Sequence, residues 1–284
     1  MSIPTIDEVR GHVHGMWAGV AHHWADYADE VDQRGVAVTE VMLSSVDLRS
    51  GDRVLELACG PGGAGLAAAE RVGPDGAVLL SDVVPEMAAI AAERAARRGL
   101  VNVHAATRDL EAIDEADCSF DVVICRDGLM FAVEPERAVA EIHRVLRPSG
   151  RATLAVWGPK AENPWLGVIF DAVTAVTGFQ VPPPGMPGPF ALDDEVRLRE
   201  LFEAAGFDDV QIDRLPAPLH SPSFEAWWVR TKAIAGPVSA LLARLDDKSA
   251  LDLETRLRAA VAPYTTASGL DLPGLALLIS ARRP

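Results

Sequence analysis

The sequence predicts an α/β protein built on a doubly wound, seven-stranded, mostly parallel sheet. Three observations predict it. Apolar runs of strand length alternate with amphipathic helical stretches as far as Trp157. The first run, Val54-Leu55-Glu56-Leu57, bends at once through Gly60-Pro61-Gly62-Gly63-Ala64-Gly65 into a helix. Near the end of the chain, Phe207 to Leu215 and Gly274 to Ala281 read as two more strands, and the former alternates enough to be antiparallel.

In chain order, Met1 to Arg10 carries charges and no apolar core, so no signal peptide is expected. Residues 16 to 45 read as two helices: Met16, Trp17, Val20, Trp24 and Tyr27 recur near helical spacing. Val36, Val38, Val41, Met42 and Val46 form a second stripe. Of the histidines here, His12, His14, His22 and His23 read as solvated surface. His12 and His14 cannot face one way on a helix, and no metal site is expected.

Leu66 to Val72 is predicted as a helix and Gly73-Pro74-Asp75-Gly76 as a turn. The second strand, from Ala77, ends at Asp82. Pro85 opens a helix that Gly99 stops, and Val101 to Ala105 is the third strand. Phe120 to Cys125 is the fourth. Ala138, Ile142, Val145 and Leu146 share a helical face, with His143 off it, and Ala152 to Trp157 is the fifth strand. Asn163-Pro164 starts a helix apolar on more than one face. The stiff run Val181-Pro182-Pro183-Pro184-Gly185-Met186-Pro187-Gly188-Pro189-Phe190 follows, either a lid or a plain linker. Leu198, Leu201, Phe202 and Ala205 mark another helix. Residues 222 to 262 read as a helical excursion in which Trp227 and Trp228 point opposite ways.

A G-x-G-x-x-G bend between strand and helix lets backbone approach a ligand closely, and the free N–H groups of the helix start can receive an anionic group. Asp82, at the tip of the second strand, is placed to accept hydrogen bonds from two ribose hydroxyls. Glu56 is less expected, because a carboxylate buried in a strand is costly without a partner. A cationic ligand or backbone N–H groups would account for it.

These residues resemble the class I S-adenosylmethionine-dependent methyltransferases, in their type 11, small-molecule branch. The likeness is carried by Leu55-Glu56-Leu57-Ala58-Cys59-Gly60-Pro61-Gly62, Ser81-Asp82, Arg108-Asp109-Leu110, Phe120-Asp121-Val122-Val123-Ile124 and Arg144-Val145-Leu146-Arg147-Pro148-Ser149-Gly150. It is strong over residues 50 to 158 and looser beyond, where Phe190-Ala191-Leu192-Asp193 and Ala205-Gly206-Phe207 still match. It implies a Rossmann-like sheet closed by a C-terminal antiparallel hairpin, with a helical N-terminal cap and lid insertions. The chain then divides as one domain, 1–284: cap 1–48, cofactor-binding core 49–158, lid segment 159–192, and 193–284 with a helical insertion at 218–268.

By the same resemblance, S-adenosylmethionine is the cofactor and S-adenosylhomocysteine the product. Glu56, Ala58, Gly60, Gly62, Asp82 and Val83 would form one side of its site, and Met87, Asp109, Leu110, Cys125 and Arg126 the other. Met87 would pack on the adenine-ribose edge, or be simple core. Asp109 would accept from the adenine amino group, and backbone carbonyls near Cys125 would meet the amino group of the methionine moiety. Arg126 either holds a substrate or active-site carboxylate, or pairs with a nearby Asp. The Trp24/Tyr27 face either packs in the core or belongs to a cap over the site. The substrate pocket is expected to use Trp24, Tyr27, Met130, Trp157, Met186 and Phe190. His220 and Arg126 are the candidates for catalysis; nothing forms a Ser/His/Asp triad. Quinone-precursor methyltransferases tend to carry Gly-Ile-Arg-Asn where this chain has Gly128-Leu129-Met130-Phe131, which departs from that pattern.

The expected reaction is methyl transfer to a small apolar or aromatic metabolite. A formal net charge of −15 argues against nucleic acid and anionic membrane as partners. Three cysteines without metal spacing suggest reduced thiols and a cytoplasmic protein, and the oligomeric state stays open. The rivals are a fold relative that binds the cofactor without methylating, an NAD-dependent oxidoreductase, and a scaffold subunit. Glu56 ahead of the glycines argues against the oxidoreductase.

Overall fold

The computed structural model describes residues 5–183 and 185–284; Met1 to Pro4, and Pro184 of the proline run, lie outside the described residues. Helix α1 spans Ile6–Ala18, well before the predicted start at Met16. The reason is a reciprocal cap. Glu8 Oε2 accepts from the Thr5 amide at 2.8 Å, and the Glu8 amide donates to Thr5 Oγ1 at 3.3 Å. After a break at Gly19-Val20, α2 runs over Ala21–Ser45. Val38, Met42 and Val46 are buried as the stripe predicts, whereas Val36 and Val41 face solvent: only one narrow side of this long helix lies on the body of the protein.

The alternating core follows: β1 Arg53–Glu56, α3 Gly63–Val72, β2 Ala77–Asp82, α4 Pro85–Arg97, β3 Val103–Thr107, β4 Phe120–Arg126, α5 Pro135–Val145 and β5 Leu146–Trp157. Strand β5 begins at Leu146 rather than Ala152, because Leu146 already pairs with Phe120 before the register shifts. Beyond it come α6 Pro164–Thr177, α7 Glu195–Ala204 and β6 Asp208–Pro216. The chain then makes β7 Leu219–Ser221, α8 Phe224–Ile234, α9 Gly236–Leu242, α10 Asp247–Val261, β8 Thr265–Thr266, β9 Gly269–Leu272 and β10 Leu275–Arg282.

The main sheet has seven strands in the order β3-β2-β1-β4-β5-β10-β6. β1 pairs in parallel with both β2 and β4, so the strand order reverses there. Ligands of open α/β sheets bind at the carboxyl ends of strands at such a switch point. β10 lies antiparallel between β5 and β6, giving the expected edge hairpin. One face packs Met42, Leu66, Leu80 and Ala91 from α2, α3, β2 and α4. The other packs Ile142, Val145, Leu198 and Phe202 from α5 and α7.

The insertion between β6 and β10 is not purely helical, as the sequence suggested. Its ends pair as a three-stranded sheet, β7-β9-β8, too short for a pattern of period two to reveal. With α6 it has its own core of Phe170, Val173, Trp227, Leu253 and Leu257, so both Trp227 and Trp228 are buried there.

Asn163, fully buried, ties α6 to the sheet. Its amide donates to the carbonyls of Gly158 and Leu275, each at 3.0 Å, and its Oδ1 accepts from the Leu275 N–H and the Trp165 indole, each at 3.0 Å. Replacing Asn163 by Ala leaves buried backbone groups unmatched and should cost about 2–4 kcal/mol. The check is the urea midpoint of Asn163→Ala against the unsubstituted protein; an unchanged midpoint would show that the amide does not tie these elements.

Candidate active site

Two clefts meet at the switch point. The first, about 970 Å³, lies over the ends of β1 and β2 and is lined by Glu56, Ala58, Gly60, Asp82, Val83, Met87, Asp109 and Leu110, with Arg126 at one end. Nine of the eleven predicted cofactor residues therefore line one cavity. The other two do not. Gly62 has a left-handed backbone and faces Leu80 and Ala91, so it sets helix packing, not ligand contact. Cys125 points into the core, where burial pushes its thiol up to about 12.

Each acid here is held by backbone. Glu56 Oε2 accepts from the Gly65 N–H at 2.9 Å. A Cβ at position 65 would strike that carboxylate and Leu80, so the third glycine makes room for the acid. Burial pushes the Glu56 carboxyl up to about 8, against the pull of Arg126 and of the Gly65 N–H. Asp82 accepts from Gly60 N–H and from Val84 N–H, both at 2.9 Å. Burial raises its pKa, and those two hydrogen bonds oppose the rise. Gly60, at φ +51°, turns the chain so that open space lies where a side chain would be. Asp109 Oδ1 accepts from Glu111 N–H at 2.8 Å.

Helix α1 roofs this cleft, bringing Val13, His14 and Trp17 into its wall. Arg10 latches the roof: it donates to Glu111 at 2.6 Å and to Glu134 at 3.0 Å. Sequence spacing leaves His14 at the surface and does not single out Arg10, whose partners Glu111 and Glu134 lie 101 and 124 residues further along the chain. The capping pattern Thr5-x-x-Glu8 is the local signal for where this helix starts.

The second cleft, about 1090 Å³, is walled by Trp24, Met130, Trp157, Trp165, Leu166 and Phe170, with Arg34, Arg126, Asp127 and Arg230 among its polar groups. Three predicted pocket residues, Trp24, Met130 and Trp157, line it. Tyr27, Met186 and Phe190 do not. Tyr27, three residues past Trp24, is half-buried but lines neither cleft, and Phe190 packs edge-on to Phe170 with centroids 6.0 Å apart, behind the wall. Met186 likewise falls outside the lining, although Pro189 of the same run reaches it. His220 sits on β7, half-exposed, its Nδ1 2.7 Å from Asp271 Oδ1, and lines neither cleft. Along β7 the flanking Leu219 and Ser221 are buried, so alternation turns the His220 side chain to solvent, which removes it as a catalytic candidate.

Trp17, Trp24, Val31, Arg126, Asp127 and Phe131 line both clefts and form the neck between them. Trp17 meets Phe131 edge-on, centroids 4.9 Å apart. Arg126 donates to Thr39 Oγ1 at 2.8 Å and lies 3.5 Å from Asp32, so it pairs with an aspartate of the cap. Asp32 also accepts from Arg94 at 2.7 Å, and Arg94 donates to the Pro61 carbonyl at 2.8 Å, tying cap, glycine bend and α4 together. Asp127 follows β4 with a left-handed backbone, φ +61°. Its carboxylate has no hydrogen-bond partner among the described residues, and burial pushes it up to about 6 although Arg126 and Arg34 pull it down. No sequence signal marked it.

A family profile described as a methyltransferase domain matches residues 54–150. The ubiquinone/menaquinone biosynthesis C-methyltransferase UbiE of Cupriavidus taiwanensis is 31% identical over 193 residues, covering 62% of this chain and 75% of that enzyme. Its namesake in Xanthomonas oryzae pv. oryzae is 33% identical over 130 residues, covering 45% of this chain and 51% of that enzyme. The chain thus spans about half the length of the Xanthomonas relatives it matches. Among solved structures, the YcgJ protein of Bacillus subtilis superposes with a TM-score of 0.59 at 21% identity, covering 86% of this chain and 97% of that one, which shows the shared fold. With the profile on the sheet and glycine bend and three quarters of a relative covered, the chain belongs to the class I S-adenosylmethionine-dependent methyltransferases.

Proposed function

We propose that this chain transfers the methyl group of S-adenosylmethionine to a small molecule with an apolar or aromatic body. The observation that carries the reading is the neck: a cleft that holds Glu56, Asp82 and Asp109 among its carboxylates adjoins, through Trp17, Trp24, Phe131 and Asp127, a cleft with aromatic walls. The residues of the first cleft fit the cofactor by chemistry. Asp82 keeps lone pairs free for ribose hydroxyls, Asp109 suits an amino-bearing ring, Met87 offers an apolar edge, and Glu56 meets positive charge. Bound there, the cofactor supplies a methyl group activated by a sulfonium.

The chain's own work is then orientation and dryness. Holding two reactants in line can lower a barrier by about 7–11 kcal/mol without any covalent role for the protein. The α1 roof and the tryptophans exclude water, which strengthens each charge interaction at the neck. Asp127 is the group at the neck with a free carboxylate. Asp127 would take the proton that the acceptor oxygen, nitrogen or carbon gives up as the methyl group leaves the sulfonium for it, a neutral thioether remaining, and would pass that proton to solvent.

Calorimetry with S-adenosylmethionine and S-adenosylhomocysteine tests the cofactor site. Asp82→Ala should weaken both by about 10- to 100-fold, the worth of one or two hydrogen bonds to a charged group; no binding by the unsubstituted protein would end the reading. Glu56 should couple binding to protons. Its carboxyl is protonated below about 8 in the free protein, and a cationic ligand favours its charged form. At pH 7, S-adenosylmethionine should therefore displace about one proton, measured across buffers of different ionisation heat, and Glu56→Gln should abolish that release. Its folded pKa of about 8 stands above the ordinary 4.5, so the free fold should also lose stability as pH rises between those values.

With an acceptor in hand, Asp127→Asn should lower kcat by about 10²–10⁴-fold while S-adenosylhomocysteine binding holds. A base must be unprotonated, so the rate should climb as pH rises through about 6 and then level. A flat profile across that range, or a fully active Asp127→Asn, would remove Asp127 from the proton path.

A further inference from the structure

Three cations line the aromatic cleft, and their partners differ. Arg126 has Asp32 at 3.5 Å, and Arg230, from α8, has Glu30 at 3.3 Å. Arg34, from α2, has no carboxylate within ion-pairing distance among the described residues. Its single hydrogen bond there is a long one, 3.5 Å to the Ala217 carbonyl, and its Nε is buried without a partner. Nη2 of Arg230, in the wall of the same cleft, is also buried and unmatched. The Arg34 guanidinium lies 4.0 Å from the ring centre of Trp165 and 4.9 Å from that of Trp157.

Burial pushes the Arg34 pKa down to about 9; Asp127 attracts the charge from a distance, while Arg230 and Arg126 repel it. Stacking on two indoles returns only part of what desolvation costs. Replacing this arginine by an apolar residue would fill the same wall at less cost, so its charge is matched to something the chain does not supply. Arg34 and Arg230 both line the cleft that adjoins the neck.

We propose that the methyl acceptor is an aromatic or ring-bearing carboxylate whose carboxyl group is bound by Arg34, with Arg230 beside it. This rests on the proposal that the aromatic cleft holds the acceptor. A single negative charge is favoured over a phosphate ester, because only one of the three cations lacks a partner and Glu30 and Asp127 repel a dianion. The ring of such an acid would lie against Trp157, Trp165 and Phe170, and the guanidinium fork suits a carboxylate's two oxygens.

The test uses the full chain saturated with S-adenosylhomocysteine, titrated with benzoate, indole-3-acetate, their primary amides and phenyl phosphate. At least one acid should bind about 10-fold or more tightly than its amide. That ratio should fall to about one in Arg34→Met, with S-adenosylhomocysteine affinity unchanged, and survive in Arg34→Lys, which keeps the charge. If Arg34→Met does not fold, the acid-to-amide ratio of the unsubstituted protein decides alone. A ratio of about one for both acids, or tighter binding of phenyl phosphate than of either, overturns the inference while leaving the function standing. Failure to bind S-adenosylhomocysteine at all would take down both.

Discussion

A carboxylate buried at the end of the first strand governs the architecture around it. Glu56 sits where β1 gives way to the glycine bend, and its charge has few ways to be met in a dry site. One is the Gly65 N–H, which requires the helix start to come close enough that no Cβ fits. Another is the field of Arg126 across the switch point. The proposed cofactor would supply the remainder. A site kept short of one positive charge is preorganised for a cation, and holding the unliganded acid in its neutral form limits the cost.

The same economy of charge runs through the cap. Asp32, on α2, takes Arg94 on one oxygen and Arg126 on the other, and Arg94 reaches the Pro61 carbonyl. Helix α2 is thereby fixed to the glycine bend by ion pairs as well as by Val38 and Met42. Helix α1 is held differently. Few of its residues are buried, and Arg10 supplies the anchorage through Glu111 and Glu134.

Much of this was legible in the chain. Sequence separations along β1, the bend and β2 are short and fixed, so the chain itself assigns Glu56, Gly60, Asp82 and Met87 to one rim. Tyr27, Met186 and Phe190 are not fixed in this way, because the rotation of a helix and the path of a proline-rich loop depend on what they pack against. Phe190 was read as lining and instead props Phe170 from behind. His220 looked like a base as a histidine in an insertion over the site, yet its strand is turned outward by pairing with β9.

The sequence by itself determined the alternation of strand and helix, the glycine bend and the carboxylates at its rim, since these follow from local periodicity and from the backbone freedom of glycine. Tertiary structure alone decided the polar wall of the aromatic cleft. Asp127, Arg34 and Arg230 come from a strand end, the cap and the insertion, and become one site only when α2 and α8 close over β4 and β5. Charge and burial at such a site are properties of the assembled walls, and no stretch of chain carries them alone.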